Sequence, residues 1–416
     1  MTQFLKVKTV GEVLEILSGL PPLPIEDIEL ESACGRVLAS EVLAPEPVPH
    51  FDRSLMDGYA VRAKDTFGAS ESLPSLLDVV GEVSMGAEAS FHLGPGKAVA
   101  IPTGGMLPAG ADAVLMVEYT CPMDSQTIEV TRAVAPGENI MRKGEDIAFN
   151  ERLLPGGWRL RPQDVGMLAA LGIGRVTVYR RPRVAVLSTG DEIVPVSTAV
   201  LPPGMVRDIN GLALAAQISK VGSIVGTRSV VEDRLESLVN ACREAFQEHE
   251  VVVLSGGSSV GMRDFTVRIL EGFAESELLV HGIAMRPGKP TILARIGTKI
   301  LWGLPGQPVS AMMVCNALVL PSLAMLQGVT GVEDFQDMGN TASGILAGQL
   351  PSVHGRTDYV PVTLAKQGDE LQVRPIFGKS AMISILGRAD GYVIVPAHVE
   401  GLEPGSHVKA YLFSRW

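Results

Sequence analysis

The first periodic stretch opens at Thr9. Thr9-Val10-Gly11-Glu12 has the form of a capping box, and Val10, Val13, Leu14 and Leu17 then recur at helical spacing. A short helix is predicted there, stopped by the prolines of residues 20–24, which cannot continue the hydrogen-bond ladder. From residue 45 to about 139 glycine and proline interrupt the chain at short intervals. Brief apolar runs at 98–101 and 113–117 alternate with them, which predicts a small β-rich module without a clear helix. A further helix begins at Arg161-Pro162, with proline in its first turn, and ends at Gly172.

At Arg183 the pattern changes. RVAVLSTG is a continuous apolar run ending in small residues, as expected of a strand buried on both faces. Helical spacing follows over 210–221 and 232–246, the second with Leu235, Leu238, Val239, Cys242 and Phe246 on one face. Strand-like runs lie at 223–226 and 250–254. Alternating strands and helices predict right-handed βαβ units and a doubly wound sheet. A long apolar helix is expected over 309–327. From residue 337 short strands with Gly/Pro turns return, as in a small β-barrel or sandwich.

Length and composition narrow the class. A chain of 416 residues holds about two to four domains and buries several cores without a disulfide or metal staple. The four cysteines lie far apart with no CxxC pair, and the seven histidines show no metal-ligand spacing. That excludes a zinc ribbon and a disulfide framework and points to a reducing compartment. The N-terminal residues lack the apolar core and cleavage site of a signal peptide. Residues 311–326 are apolar, but they contain Asn316 and Pro321 and fall short of the ~20 residues of a membrane span. A cytoplasmic protein with no membrane partner is expected. The net charge of −11 is opposite to that of a nucleic-acid coat, so no nucleic-acid partner is expected either.

Candidate chemistry gathers at strand ends. VAVLS leads into Thr189-Gly190-Asp191-Glu192, and VVVLS into Gly256-Gly257-Ser258-Ser259-Val260-Gly261 and Asp264. A third turn is Met285-Arg286-Pro287-Gly288-Lys289-Pro290. Ligands of doubly wound sheets bind outside the carboxyl ends of the strands. Glycines admit a phosphate to the backbone N–H groups, while Arg286 and Lys289 supply charge. Asp264 with Glu192 or Asp233 suits Mg²⁺, which takes one or two carboxylates plus substrate phosphate. Each piece also has a plain reading: Asp264 as a helix cap, Glu192 as a solvated loop acid, the glycine pair as a tight turn. The combination favours an anionic, phosphate-bearing ligand.

Seven strings occur in order: FDRSLMDGYAVR (51–62), IPTGGMLPAGADAVLMVE (101–118), MRKGEDI (141–147), STGDEIV (188–194), LSGGSSVGMRDF (254–265), AMRPGKP (284–290) and LPGQPVSA (304–311). Together they resemble the molybdopterin molybdenumtransferase family, the MoeA-type proteins and the gephyrin E domain. The resemblance implies molybdenum cofactor biosynthesis: molybdenum from molybdate enters adenylylated molybdopterin, AMP is released, and Mg²⁺ assists. It implies catalytic roles for Asp57, Thr103, Asp146, Glu192 and Asp264, and metal ligation by Glu192, Asp233 and Asp264. Gly256, Gly257, Ser258, Arg286, Lys289, Pro305, Pro308, Arg356 and Ser380 fall at substrate-binding positions. The sequence departs from the family pattern at three of its positions. Gly282 and Arg286 stand where lysines are usual, and Gln307 where asparagine is usual; tungstate is therefore an alternative to molybdate.

The resemblance further implies a homodimer of four-part subunits: a discontinuous N-terminal part (1–43 plus 140–179), an inserted β-rich module (44–139), an α/β molybdopterin-binding domain (180–330) and a C-terminal β domain (331–416), with an active site shared across the dimer. Its implied partners are the pterin nucleotide, a molybdopterin adenylyltransferase and apo-molybdoenzymes. Two other functions stay open on the sequence: adenylylation of molybdopterin by ATP, because the α/β domains of the two families look alike, and a gephyrin-like scaffold without catalysis.

Overall fold

The computed structural model describes residues 7–256, 267–330 and 341–413. The capping box forms as the sequence requires. Thr9 Oγ1 accepts the Glu12 N–H at 3.2 Å, and the Glu12 carboxylate accepts the Thr9 N–H at 2.7 Å. The helix Val10–Ser18 ends just before the prolines, and Val10, Val13 and Leu17 are buried in the core of the α/β domain. Ahead of it, Lys8 pairs with Ile283: the Lys8 N–H donates to Gly282 O, and Lys8 O accepts the Ala284 N–H. The first described residues are thus stitched to the segment that leads from the α/β sheet into the C-terminal barrel.

Two antiparallel ribbons bring distant segments together. Ile25–Glu29 pairs with Arg175–Tyr179, and Val42–Leu43 with Arg152–Leu154. Between them the chain leaves to build a six-stranded sheet ordered Ala113–Met116, Gly58–Val61, Lys97–Ile101, Ser75–Glu82, Thr127–Val130, Thr120–Pro122. Period-two alternation splits its residues between two cores. Val61, Ala98 and Ala113 point to one, and Ala60, Val99 and Val114 to the other. Its described residues carry only 3₁₀ turns, in keeping with the expected β-rich module.

The central sheet has six strands in the order Ile224–Val231, Arg183–Thr189, Val251–Gly256, Lys299–Leu304, Ile292–Ile296, Ser276–His281. The first four are mutually parallel, and Ile292–Ile296 runs antiparallel to both its neighbours. Strand residues alternate between two buried faces. Val184, Val186, Val251 and Val253 pack with helix Asn210–Lys220 and the long apolar helix; Ala185, Leu187, Val252 and Leu254 pack with helix Leu235–Glu248. Burial on both sides is why these strands read as unbroken apolar runs.

Some boundaries differ from expectation. The strand expected at 223–226 runs Ile224–Val231, because an edge strand alternates with solvent and hides its length. The helix expected from 232 begins at Leu235, leaving Asp233 in the preceding loop. The apolar helix spans Pro308–Leu326 and is almost wholly buried. It widens into a π-type turn over Cys315–Val319, next to Pro321, which has no N–H to give an α-helical bond.

In the C-terminal region the strands Thr357–Gln367, Glu370–Pro375, Thr341–Leu346, His407–Leu412 and Gly391–Val395 close on themselves as a five-stranded barrel. Val362, Val373, Val393, Val395 and Ala410 fill it. Met285–Arg286 adds to this barrel, pairing in parallel with Thr357 and Asp358. The 285–290 turn was expected beside the other two strand ends. It instead joins the far edge strand Ser276–His281 to its neighbour Ile292–Ile296, with two strands between that edge and Val251–Gly256.

Candidate active site

The strand order reverses between Arg183–Thr189 and Val251–Gly256. One strand's connection crosses one face of the sheet and the next crosses the other, which opens a crevice at their carboxyl ends. Gly256 closes the strand there with φ +145°, and a Cβ would stand 1.8 Å from Thr189 O. In this structure its role is to let two backbones approach.

The acids flank that crevice. Thr189 Oγ1 donates to Asp233 Oδ1 at 3.1 Å, and the Asp233 N–H donates to Asp191 Oδ1 at 3.3 Å. Glu192 is exposed, its carboxylate folded over Gly190 so that a Cβ on that glycine would lie 2.7 Å from Oε2. Beneath them is a buried polar layer that the sequence reading missed. Asp208 Oδ1 accepts from Ser188 Oγ and from the Gly211 N–H, both at 2.8 Å, with Arg228 3.5 Å from its other oxygen. Asn210 Nδ2 donates to Ser255 Oγ at 2.9 Å and to Gly306 O at 2.8 Å. The signal was the Asp-x-Asn just ahead of a helical pattern, which looks like an ordinary helix start.

Gly257, Ser258 and Asp264 lie outside the described residues. Among the described residues no group of three or more His, Cys, Asp or Glu side chains is placed to hold a metal. Glu192 and Asp233 nevertheless fit a hard divalent cation that takes one or two carboxylates and completes its shell with water and substrate oxygens.

A second feature is a cleft of about 1120 Å³ between the α/β domain and the barrel. Arg286 and Lys289 reach it from the 285–290 turn, and Arg356, Lys379 and Ser380 from the barrel. The buried Asp358 carboxylate is gripped by Arg356 at 2.8 and 3.1 Å and has Arg286 at 3.9 Å. Four cations against one carboxylate leave the cleft positive within a molecule of net charge −11. Lys379 and Phe377 were missed as lining residues; Lys379 was visible only as a neighbour of Ser380. Gly282, where the family pattern has lysine, has φ +90° and gives its carbonyl to Lys8, and it does not line the cleft.

The loop 305–307 joins the two features. Pro305 O accepts from Ser255 Oγ at 3.3 Å on the crevice side, while Gln307 Oε1 accepts from Ser380 Oγ on the barrel side. Pro308 is buried in the first turn of the long helix, with a fixed φ suited to that place. The longer side chain of Gln307 makes the link to the barrel.

Asp57 and Thr103 form a third group, and Asp146 lies apart from their hydrogen bonds. Asp57 Oδ1 accepts the Thr103 N–H at 2.7 Å and Thr103 Oγ1–H at 2.9 Å. The backbone donor first, and the hydroxyl second, hold the Asp57 carboxyl below its ordinary pKa. Asp146 is exposed, and its N–H donates to Val48 O. These bonds stay within the inserted β-rich sheet and its supporting ribbons, not the α/β sheet.

Comparison with known proteins agrees with this architecture. Residues 8–172 match the MoeA N-terminal region (domain I and II), residues 185–325 a family described as "Probable molybdopterin binding domain", and residues 343–413 the MoeA C-terminal region (domain IV). The chain is 32% identical to the molybdopterin molybdenumtransferase of Bacillus subtilis over 93% of its own length and 89% of the relative's. To that of Staphylococcus aureus it is 30% identical over 96% and 94%. A crystal structure of the molybdopterin biosynthesis MoeA protein of Pyrococcus horikoshii superposes with a TM-score of 0.80 at 38% identity, over 99% of this chain and 100% of that one. The chain belongs to the MoeA-type molybdopterin molybdenumtransferase family.

Proposed function

We propose that this chain catalyses the molybdenum-insertion step of molybdenum cofactor biosynthesis, taking adenylylated molybdopterin and molybdate and releasing AMP. The observation that supports this most is the loop 305–307. It sets an acid-bearing crevice beside a cationic cleft, so one ligand with a charged linkage and an oxyanion partner can engage both. Arg286, Lys289, Arg356 and Ser380 hold anionic oxygens in the cleft, with Lys379 adding charge. Glu192 and Asp233, with Asp264, would hold Mg²⁺, which offsets charge on the pyrophosphate as it is cleaved. Asp57 stays ionised well below neutral pH, and Thr103 fixes its orientation. The division into 1–43 plus 140–179, 44–139, 180–330 and 331–416 belongs to the same proposal, as do the homodimer and a cytoplasmic location.

The test is AMP release by the purified chain from adenylylated molybdopterin. Release that requires both molybdate and Mg²⁺, and falls at least ~100-fold in Glu192→Gln, is expected. Absence of molybdate-dependent AMP release with authentic substrate overturns the proposal. ATP consumption driven by molybdopterin would point to adenylylation instead.

A further inference from the structure

Two aromatic rings line the cleft among the described residues, Tyr359 and Phe377. Tyr359 is buried, but Phe377 is 63% exposed. A phenylalanine left in water forgoes about 1.5–3 kcal/mol of burial, so its setting matters. Other phenylalanines are exposed, Phe67 and Phe149 among them, but Phe377 alone of these faces the cleft.

Its loop is held at both ends. The Ile376 N–H donates to Pro361 O at 2.8 Å, and Ser380 O accepts the Val309 N–H at 3.0 Å. Ser380 Oγ is also bonded to Gln307. Between them Gly378 lies so close to the short helix Ser384–Arg388 that a Cβ would stand 2.4 Å from Ile385 Cδ1. An open aromatic ring is therefore carried on a short, anchored loop, two residues from Lys379 and in the same cleft as Arg286, Lys289 and Arg356. That is the arrangement for a ligand carrying a flat ring next to negative charge. The ring stacks with little ordering cost, and the cations take the anion.

We propose that Phe377 is the stacking platform for a planar heteroaromatic ring of the substrate, with Lys379 contacting the adjoining anionic group. The inference rests on the cleft being the substrate site. The shared chemistry is a flat nitrogen heterocycle beside an anion, and it covers both ends of a pterin nucleotide, so the two ends are separate arms of the test.

Dissociation constants of the full chain are measured by calorimetry for AMP, pterin-6-carboxylate, ribose 5-phosphate and molybdate. Phe377→Ala and Phe377→Leu should weaken AMP or pterin-6-carboxylate roughly 5- to 150-fold, with Phe377→Trp restoring affinity. Ribose 5-phosphate and molybdate should shift less than about twofold. The arm that responds names the ring. Ring-probe affinity indifferent to position 377, a leucine as good as phenylalanine, or equal weakening of all four probes overturns the inference. If molybdate binds but ring probes ignore Phe377, the stacking role alone falls. If the wild-type chain binds neither molybdate nor either ring, the cleft as substrate site falls with it.

Discussion

Asp164 shows how one side chain can organise a junction. Its Oδ2 accepts the Trp158 indole N–H at 2.9 Å and the Arg161 backbone N–H at 2.8 Å, and the Arg161 guanidinium closes on both oxygens. That guanidinium, foremost, holds the carboxyl at about 2, below the ordinary 3.8. A depressed folded-state pKa means stability that is fully present above about pH 4 and is lost as pH falls toward 2. Asp164→Ala strands the Trp158 N–H and should cost about 1–3 kcal/mol in urea unfolding at pH 7. The gap between variant and wild type should narrow at pH 2; a constant gap would mean that charge is not the cause. Asp57 makes a parallel case without burial. Thr103→Val removes one of its two donors but keeps the backbone N–H, the larger influence. The NMR titration midpoint of Asp57 should therefore lie below 3.8 in the wild type and rise only part of the way in the variant. A full return to 3.8 would show that the hydroxyl dominates.

At the scale of elements, local pattern revealed what local forces decide. The capping box, the buried strand runs and the β-rich module follow from spacing and punctuation. The length of Ile224–Val231 does not, because an edge strand shows its pairing partners only in three dimensions. The cleft was equally invisible: it depends on Met285–Arg286 pairing with Thr357 and Asp358, about seventy residues later. The strand-end acids could be found because doubly wound sheets put ligands there. Asp208 and Asn210 could not, since their partners Ser188 and Ser255 come from other strands. Gly256 is the sharpest test of the crevice. Gly256→Ala drives a Cβ into Thr189 O at a φ that side chains avoid, so a loss of about 3 kcal/mol or more is expected by thermal unfolding. A variant melting with the wild type would show that the strand ends are looser than described.

At the scale of the whole molecule, the three residue groups raise the question of how Asp57 reaches the crevice. If a dimer shares its sites, sedimentation should give twice the chain mass of 44.1 kDa. Asp57→Asn and Glu192→Gln should each be inactive alone. After mixing through mild denaturant, random dimers should recover roughly a quarter of wild-type activity, since half are mixed and each mixed dimer has one intact composite site. No recovery would place both residues in one subunit's site. The stitch at Lys8 has a practical use in such work. Val7 and Thr9 on either side of it line the cleft. Cys242 and Cys315 are buried, and burial raises the Cys242 thiol to about 12, so only Cys34 and Cys121 need replacing before a thiol dye is introduced. A fluorophore on Val7→Cys would then sit at the rim, tethered by a backbone pairing that spans most of the chain. Its emission would report, in real time, when the cleft fills and when it empties.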